Sequence, residues 1–308
     1  MRDTFTRCLE AYAESHPELV LVTGDLGFGV LKPFMEKFPE KFINAGIAEQ
    51  AMMSMAAGLA LEGKTVVVYS IGNFPTLRCL EQIRNCCAYH NANVKIVCVG
   101  AGFTYGTLGM THHATEDMSA LRVLPGVKVY APADAVETEA AMGPFLSEPG
   151  VAYLRIGRGG ERRCHEDGSL NNYETGKALE QFEGSDAYIL TSGNILPSAI
   201  DAAYLLSQQG YKVGVASFPT VKPIDVEYLR KVCDRTDRIY TLEEHTIVGG
   251  FGSAVCETVC SFDKRPRVIR LGLNDTYCAI VGNQQYLEKH FGLDGESVAQ
   301  RVLEDLKK

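Results

Sequence analysis

A single carboxylate, Glu49, stands ahead of a long apolar run within the segment 43–58. Met52, Met53 and Ala56 recur behind it at helical spacing, which predicts a buried helix with small residues for close packing. The helix dipole favours a charged acid in the first turn, whereas burial disfavours the charge. Two interpretations stay open: Glu49 caps the helix, or its carboxyl group takes part in proton transfer.

A second candidate for chemistry is the glycine-rich, polar stretch 100–117. It follows an apolar run typical of a strand, so we expect it at the carboxyl end of a sheet, where open α/β folds bind ligands. It contains two adjacent histidines, His112 and His113. By residue type alone, they are either exposed polar side chains or part of a binding site.

Both stretches resemble the transketolase family. Residues 44–51, Asn-Ala-Gly-Ile-Ala-Glu-Gln-Ala, are similar to the part of the pyrimidine-binding domain in transketolases and deoxyxylulose phosphate synthases that carries the glutamate activating thiamine diphosphate. Residues 109–117, Gly-Met-Thr-His-His-Ala-Thr-Glu-Asp, resemble that family's G-x-T-H-x-x-x-E loop. The resemblance implies that Glu49 exchanges a proton with the cofactor's pyrimidine ring. It implies that His112 contacts substrate oxygens, with His113 as a further substrate-binding candidate.

The same resemblance implies two more cofactor contacts. Phe74 follows the predicted strand 65–69 and corresponds to the family's aromatic residue that stacks on the pyrimidine ring, although a core phenylalanine is the competing interpretation. Asp25 closes the first predicted strand and resembles the family's interface acid near the cofactor. Arg78 lies in the helix that follows Phe74, and we expect it to pair at a subunit interface.

Two arginines are candidates for the anionic end of a substrate. Arg158 lies between glycines at the end of the last strand of the first half, where related enzymes place an arginine on the substrate phosphate. A planar guanidinium suits the oxygens of a phosphate or a sulfonate. Arg7 matches a second phosphate-binding arginine of transketolases.

One position departs from the family pattern. Transketolases usually carry an aspartate three residues before the Thr-His pair, where it binds the α-hydroxyl of the substrate, and here Leu108 occupies that place. Leucine accepts no hydrogen bond. We therefore expect weak discrimination at that carbon and a non-standard sugar with an anionic end group.

In the second half, residues 242–254 are similar to the carboxy-terminal domain of this superfamily, including the beta subunits of 2-oxo-acid dehydrogenases. His245 lies within this segment. It is either part of a structural turn at a subunit interface, which we favour, or a residue that approaches the substrate.

The elements that must position these residues alternate between short β-rich runs and longer helical ones, the pattern of parallel α/β layers. Strands are predicted at 19–23, 65–69, 94–99, 127–130 and 151–156, then at 187–191, 213–217, 238–242 and 267–270. Helices are predicted at 3–15, 48–62, 75–90, 134–146, 195–209 and 225–234, and the stretch 219–225 is predicted as a loop. The sequence predicts two parallel-sheet α/β domains: a pyrimidine-binding domain at 1–165 and a transketolase carboxy-terminal domain at 166–308.

Composition narrows the class of protein. The 308 residues are 46% hydrophobic and 22% charged, an ordinary globular balance sufficient for two cores. The formal net charge of -8 argues against a nucleic-acid binder, and no apolar run is long enough for a signal peptide or a membrane span. Ten cysteines without a CxxC pair indicate reduced thiols. We expect a cytoplasmic protein.

One motif of the family is missing. Thiamine diphosphate is held through magnesium by a GDG-type acidic loop with an asparagine some 25–30 residues later, and the chain has no such pair at that spacing. The resemblance therefore implies no metal ligand in this chain. It implies a split enzyme, in which a separate amino-terminal, diphosphate-binding subunit supplies the magnesium ligands, with an α2β2 heterotetramer as the assembly.

The activity implied is transfer of a two-carbon ketol unit from a ketose, with a phosphate or similar anionic group, to an aldose. Two alternatives within the superfamily are the beta subunit of a 2-oxo-acid dehydrogenase and a deoxyxylulose phosphate synthase-like enzyme. A third alternative, from another class, is a catalytically silent scaffold. This alternative is disfavoured because a scaffold has no use for the combination of Glu49, Phe74, His112 and Arg158.

Overall fold

Mostly buried strands build the first sheet. The computed structural model describes all residues from Met1 to Lys308. The seven strands of this sheet are β1 Leu19–Thr23, β2 Phe42–Asn44, β3 Thr65–Ile71, β4 Val94–Val99, β5 Lys128–Tyr130, β6 Ala152–Ile156 and β10 Thr220–Lys222. They lie in the order β10-β5-β6-β4-β3-β1-β2. Six are parallel, and β10 pairs with β5 antiparallel at the edge.

The second sheet has five strands. They are β7 Leu179–Phe182, β8 Ala187–Thr191, β9 Val213–Ser217, β11 Arg238–Thr246 and β12 Arg267–Leu273. They lie in the order β12-β11-β8-β9-β7. Four are parallel, and the edge strand β7 is antiparallel to β9. The predicted fold class, two α/β domains, is confirmed, with one antiparallel strand at an edge of each sheet.

Helices cover both faces of the sheets, as parallel strands require. They are α1 Arg2–Ser15, α2 Lys32–Lys37, α3 Glu49–Leu61, α4 Leu80–Gln82, α5 Asp117–Arg122, α6 Ala135–Ser147, α7 Leu196–Ser207, α8 Val226–Arg235, α9 Phe251–Val259, α10 Gln284–His290 and α11 Gly295–Leu306. None of them combines the length and apolar character needed to cross a membrane.

The alternation of side chains along β1 shows how the layers form. Val20 and Val22 point into a core that includes Met52 of α3, whereas Leu19 and Leu21 point into a separate core with residues of α1 and α6. The first of these cores continues into the second sheet. This continuity fixes the position of the carboxyl ends of the first sheet's strands, where the candidate residues lie.

The structure differs from the predicted local structure at three short strands and one helix. The strands β2, β7 and β10 were not predicted because each has only three or four residues, and β10 lies in a stretch between prolines that was predicted as a loop. The predicted helix 75–90 is a 3-10 turn at Leu77–Cys79, then α4, then a π-helical stretch at Ile83–Ala88.

Residues 157–178 contain neither a helix nor a strand. The proposed boundary between domains 1–165 and 166–308 falls in this segment and stays a proposal. Because β10 belongs to the second half of the chain but completes the first sheet, the two halves are not separate in space.

Candidate active site

Glu49 is the first residue of α3, and its side chain is only 6% exposed. The N-cap position is Ala48 and not Glu49, and no side-chain hydrogen bond caps the start of the helix. Just upstream, Asn44 braces the turn: its Oδ1 accepts from the amides of Asp25 and Gly46, at 3.0 Å each. Its Nδ2 donates to Asp25 Oδ1 at 3.1 Å. Asn44 therefore holds Asp25 beside the segment that leads into α3.

Phe74 lies on a turn after β3 and is half-buried. Gly72 opens that turn with a φ of +47°, and a Cβ at this position would lie 3.2 Å from the carbonyl oxygen of His112. Glycine therefore allows two loops to approach closely, both by its conformation and by its lack of a side chain. As a result, the ring of Phe74 meets the ring of His112 edge-on, with centroids 5.4 Å apart.

Arg78 joins the acid to the aromatic ring. Its Nη1 lies 2.7 Å from Glu49 Oε1, and its guanidinium carbon lies 4.5 Å from the centroid of the Phe74 ring. Within this chain, the ionic partner of Arg78 is Glu49; its expected pairing at a subunit interface stays a prediction. Glu49, Arg78, Phe74 and His112 thus form one continuous group of contacts, hereafter the acid–aromatic cluster.

The two histidines of the loop have different surroundings. His112 is half-buried in the acid–aromatic cluster. His113 is 2% exposed, with its ring edge-on to Phe103 at 5.3 Å, and burial lowers its pKa. The side chain of His113 therefore points into the interior, and this placement does not support the substrate contact expected for it.

A cavity of about 510 Å³ opens at the same carboxyl end of the sheet. It lies beside Asp25, since its wall includes the loop from Leu26 to Val30. The other lining residues are Arg2, Tyr69, Ile71, Val99, Tyr105, Thr107, Leu108 and Arg158. Arg158 lies over the ring of Tyr105 at 5.5 Å. The cavity thus combines two guanidinium groups with largely apolar walls and also receives Leu108.

Arg7 does not line this cavity. Its side chain is 60% exposed and pairs with Glu139 at 2.8 Å on the outer surface of α1 and α6. Arg2, which was not among the residues predicted from the sequence, lines the cavity instead. Helical spacing puts Arg2, but not Arg7, on the stripe of the buried residues Phe5 and Leu9. The spacing does not show that a cavity borders this stripe.

His245 is fully buried within β11, so it lies in a strand and not in a turn, and it does not line the cavity. Its Nδ1 contacts the carbonyl oxygen of Thr246 at 2.8 Å, and its Nε2 lies 3.8 Å from Asp117 Oδ1. Burial lowers its pKa to about 4. Its neighbour Glu244 accepts a hydrogen bond from the amide of Phe103 at 3.0 Å, and burial raises the pKa of that carboxyl group well above its ordinary value. Glu244 and His245 therefore lie against the buried side of the loop 100–117, which carries His112.

Comparison with known proteins shows the family of this chain. Residues 1–160 match the family model described as the transketolase pyrimidine binding domain, and residues 176–298 match the transketolase C-terminal domain. The chain belongs to the transketolase family. It is 36% identical to a putative transketolase C-terminal section from Methanocaldococcus jannaschii, over 100% of this chain and 96% of that protein.

Two further members of the transketolase family are similar over nearly their whole length. An apulose-4-phosphate transketolase subunit of Phocaeicola vulgatus is 35% identical, over 100% of this chain and 97% of that protein. A solved structure described as a split gene transketolase, inactive beta4 tetramer, is 33% identical, with a TM-score of 0.88 over 99% of this chain and 97% of that one.

Membership of the transketolase family implies thiamine diphosphate, and the residues present fit its pyrimidine end. The guanidinium of Arg78 is a planar group with N–H donors, and in this structure one donor meets Glu49 while the plane lies against Phe74. An aminopyrimidine ring needs the same two contacts, a carboxyl group at its edge and an aromatic ring at its face. No group of three or more His, Cys, Asp or Glu side chains is arranged to hold a metal ion.

Proposed function

We propose that this chain is the small subunit of a two-chain transketolase, which transfers a two-carbon ketol unit from an anionic ketose to an aldose. One observation carries the proposal: Glu49, Phe74 and His112 belong to one group of contacts at the same sheet end as a cavity with two arginines. An acid, an aromatic ring, a histidine and anion-binding groups are the parts that this chemistry requires from one side of the site.

Glu49 and Phe74 would hold the pyrimidine end of thiamine diphosphate, with Asp25 nearby. When bound, this cofactor supplies the centre that stabilises a carbanion and carries the two-carbon unit. Glu49 holds a proton at a ring nitrogen of the pyrimidine, acting as the general acid and base of the site. Its burial excludes water from that proton, and the ring of Phe74 orients the pyrimidine by stacking.

His112 would serve the substrate. Its ring is half-buried, held edge-on by Phe74, and its Nδ1 lies 3.0 Å from the hydroxyl oxygen of Thr111. This contact fixes the ring and directs Nε2 away from Thr111. From that position the imidazole can donate a hydrogen bond to a substrate oxygen as charge develops on it, which lowers the barrier of the chemical step.

Arg2 and Arg158 would bind the anionic end of the sugar. Both line the cavity, and guanidinium groups bind phosphate or sulfonate oxygens through paired N–H donors. Leu108 lines the same cavity, so the departure from the family pattern lies where this proposal puts the substrate. A hydroxyl group facing leucine gains no hydrogen bond, so the enzyme is expected to discriminate weakly at that carbon.

The partner in this proposal is a diphosphate-binding subunit that carries the magnesium ligands, in an α2β2 heterotetramer. The outward face of α3 supports a partner at this place. Its residues Ala51, Ser54, Met55 and Gly58 are exposed, and none is charged. A helix that is apolar or small on all sides is normally covered. Because α3 begins at Glu49, a subunit packed on this face would also reach the cofactor.

Reconstitution tests the proposal. Mixed with a diphosphate-binding subunit and magnesium, this chain should bind thiamine diphosphate and transfer ketol units between sugar phosphates. Alone, it should bind the cofactor poorly. Tight magnesium-dependent binding by the chain alone would contradict the split site. Release of carbon dioxide from pyruvate by the complex would instead favour the 2-oxo-acid dehydrogenase or deoxyxylulose phosphate synthase-like alternatives.

A further inference from the structure

The side chain of Arg78 makes both contacts that the proposed function assigns to the pyrimidine ring. Its Nη1 lies 2.7 Å from Glu49 Oε1, and its guanidinium carbon lies 4.5 Å from the centre of the Phe74 ring. A carboxylate oxygen that accepts a hydrogen bond from a guanidinium cannot accept a second one from a donor at the same position. One face of an aromatic ring likewise has room for one planar group at a time. Arg78 and the pyrimidine therefore compete for the same two surfaces.

The backbone of Arg78 is held on both sides. Its amide contacts the carbonyl oxygen of Asn73 at 3.3 Å, and its carbonyl oxygen accepts a hydrogen bond from Gln50 Nε2 at 3.1 Å. The side chain itself is 46% exposed, whereas Glu49 is 6% exposed. Rotation of the side chain into solvent is therefore the simple way to clear the site, with no movement of the main chain.

Such a rotation leaves Glu49 buried without its cation. A buried carboxylate that loses its partner is costly, so Arg78 leaves readily only when an incoming group supplies a donor to Glu49 and a planar face to Phe74. A sugar offers no planar face, and a free anion is repelled by Glu49. The contact thus favours exchange with a planar, nitrogen-bearing ring.

We propose that the guanidinium of Arg78 occupies the pyrimidine subsite and is displaced by the cofactor, so that Arg78 sets the affinity and the rate of cofactor binding. This inference rests on the proposed function, since it assigns the pyrimidine to Glu49 and Phe74. It makes Arg78 a gate for the site and gives it no part in the chemical step.

Calorimetric titration of the reconstituted complex with thiamine diphosphate and magnesium tests this role. R78M keeps an unbranched side chain and removes the guanidinium, so it should bind the cofactor about tenfold more tightly, because the contacts of the guanidinium with buried Glu49 and with the Phe74 ring no longer compete. Stopped-flow binding should show a faster association. R84M is the matched control, since Arg84 lies exposed in the same segment and its side chain donates a hydrogen bond to Asn85, away from Glu49 and Phe74. Its affinity should equal wild type.

The outcomes separate the two proposals. If the wild-type complex does not bind thiamine diphosphate, the proposed function fails. If wild type binds and R78M binds equally or more weakly, the function stands and the gate is refuted. R78K retains the charge but loses the planar group, so it should bind with an affinity between wild type and R78M. It decides the question if R78M does not fold, because an R78K affinity at or below wild type also refutes the gate.

Discussion

The Arg155 guanidinium and the Asp117 carboxylate form a fully buried ion pair, with Nε 2.9 Å from Oδ2. The same guanidinium donates to the carbonyl oxygens of Ala114 and Glu244, at 2.7 Å and 2.9 Å. This pair therefore ties β6 of the first sheet both to the histidine loop and to β11 of the second sheet. The position of His112 depends on a contact between the two halves of the chain.

Loss of this pair should destabilise the fold strongly. R155M leaves Asp117 buried without a cation, so the free energy of unfolding should fall by about 3–5 kcal/mol, as measured by urea denaturation. K32A breaks the exposed Lys32–Glu36 pair and serves as the control, with a change below about 1 kcal/mol. An R155M variant as stable as K32A would show that the buried pair contributes nothing to the fold.

Replacement of Glu49 by glutamine should abolish most of the activity while the fold is retained. Glutamine keeps the size of the side chain and removes the acid. Deuterium exchange of the thiazolium C2 proton in the reconstituted complex should therefore slow by about 10²- to 10⁴-fold. E62Q, at the exposed residue after α3, should exchange at the wild-type rate. An E49Q rate within a few-fold of wild type would falsify the proton-transfer role.

The two arginines of the cavity should control affinity for charged sugars. R2A and R158A each remove a charge-assisted contact, so KM for a sugar phosphate should rise about 10- to 100-fold, with KM for a non-phosphorylated aldehyde unchanged. R7A tests the prediction from the sequence that Arg7 binds the substrate, because in the structure Arg7 pairs with Glu139 outside the cavity. Steady-state kinetics with R7A should match wild type, and a raised KM in R7A alone would reverse the assignment.

Restoring the family's acid at position 108 should sharpen substrate choice. An aspartate facing the cavity can accept a hydrogen bond from the α-hydroxyl of the sugar, which is worth about 1–3 kcal/mol. L108D should therefore raise the ratio of kcat/KM between sugars that are epimeric at that carbon by about 5- to 150-fold. L108A removes the leucine side chain beyond Cβ without adding an acceptor, and its ratio should stay near wild type. Equal ratios in L108D and wild type would place the hydroxyl elsewhere.

His245 should make stability depend on pH. Burial lowers the pKa of His245 to about 4 from an ordinary value of 6.5. As pH falls below about 6.5, the unfolded chain takes up a proton here while the folded chain does not, so folding loses free energy until about pH 4. H245Q removes this loss. The stability of wild type minus that of H245Q, from denaturation at several pH values, should decline as pH falls from about 6.5 to about 4.

The exposed His90 provides the control for this pH dependence, because H90Q should leave the profile of wild type unchanged. Using the difference between the two chains cancels carboxyl groups that do not contact His245. Burial raises the pKa of Glu137 to about 7, for example, so its contribution is present at low pH and is lost as pH rises towards 7. A flat difference between wild type and H245Q would contradict the buried, neutral histidine.

Local patterns in the sequence determined the longer parallel strands, the helix that begins at Glu49, and the loop that carries His112. Each depends on neighbours within a few residues: alternating or continuous apolar runs for strands, helical spacing for α3, and glycines for the loop. The short strands β2, β7 and β10 were missed because three or four residues carry too little pattern, and they form only where a sheet edge offers hydrogen-bond partners.

Only the tertiary structure decided which arginines line the cavity. Arg2 and Arg7 lie on the same helix, and the packing of α1 against the sheet turns one to the cavity and the other to solvent. Arg78 and Glu49 are 29 positions apart in the sequence, and they meet because the turn after β3 packs beside the start of α3. The burial of His245 likewise depends on packing, because this residue of β11 lies against Asp117 in the first half of the chain. Contacts of this kind depend on how whole elements pack, and no spacing of residues along a single element contains that information.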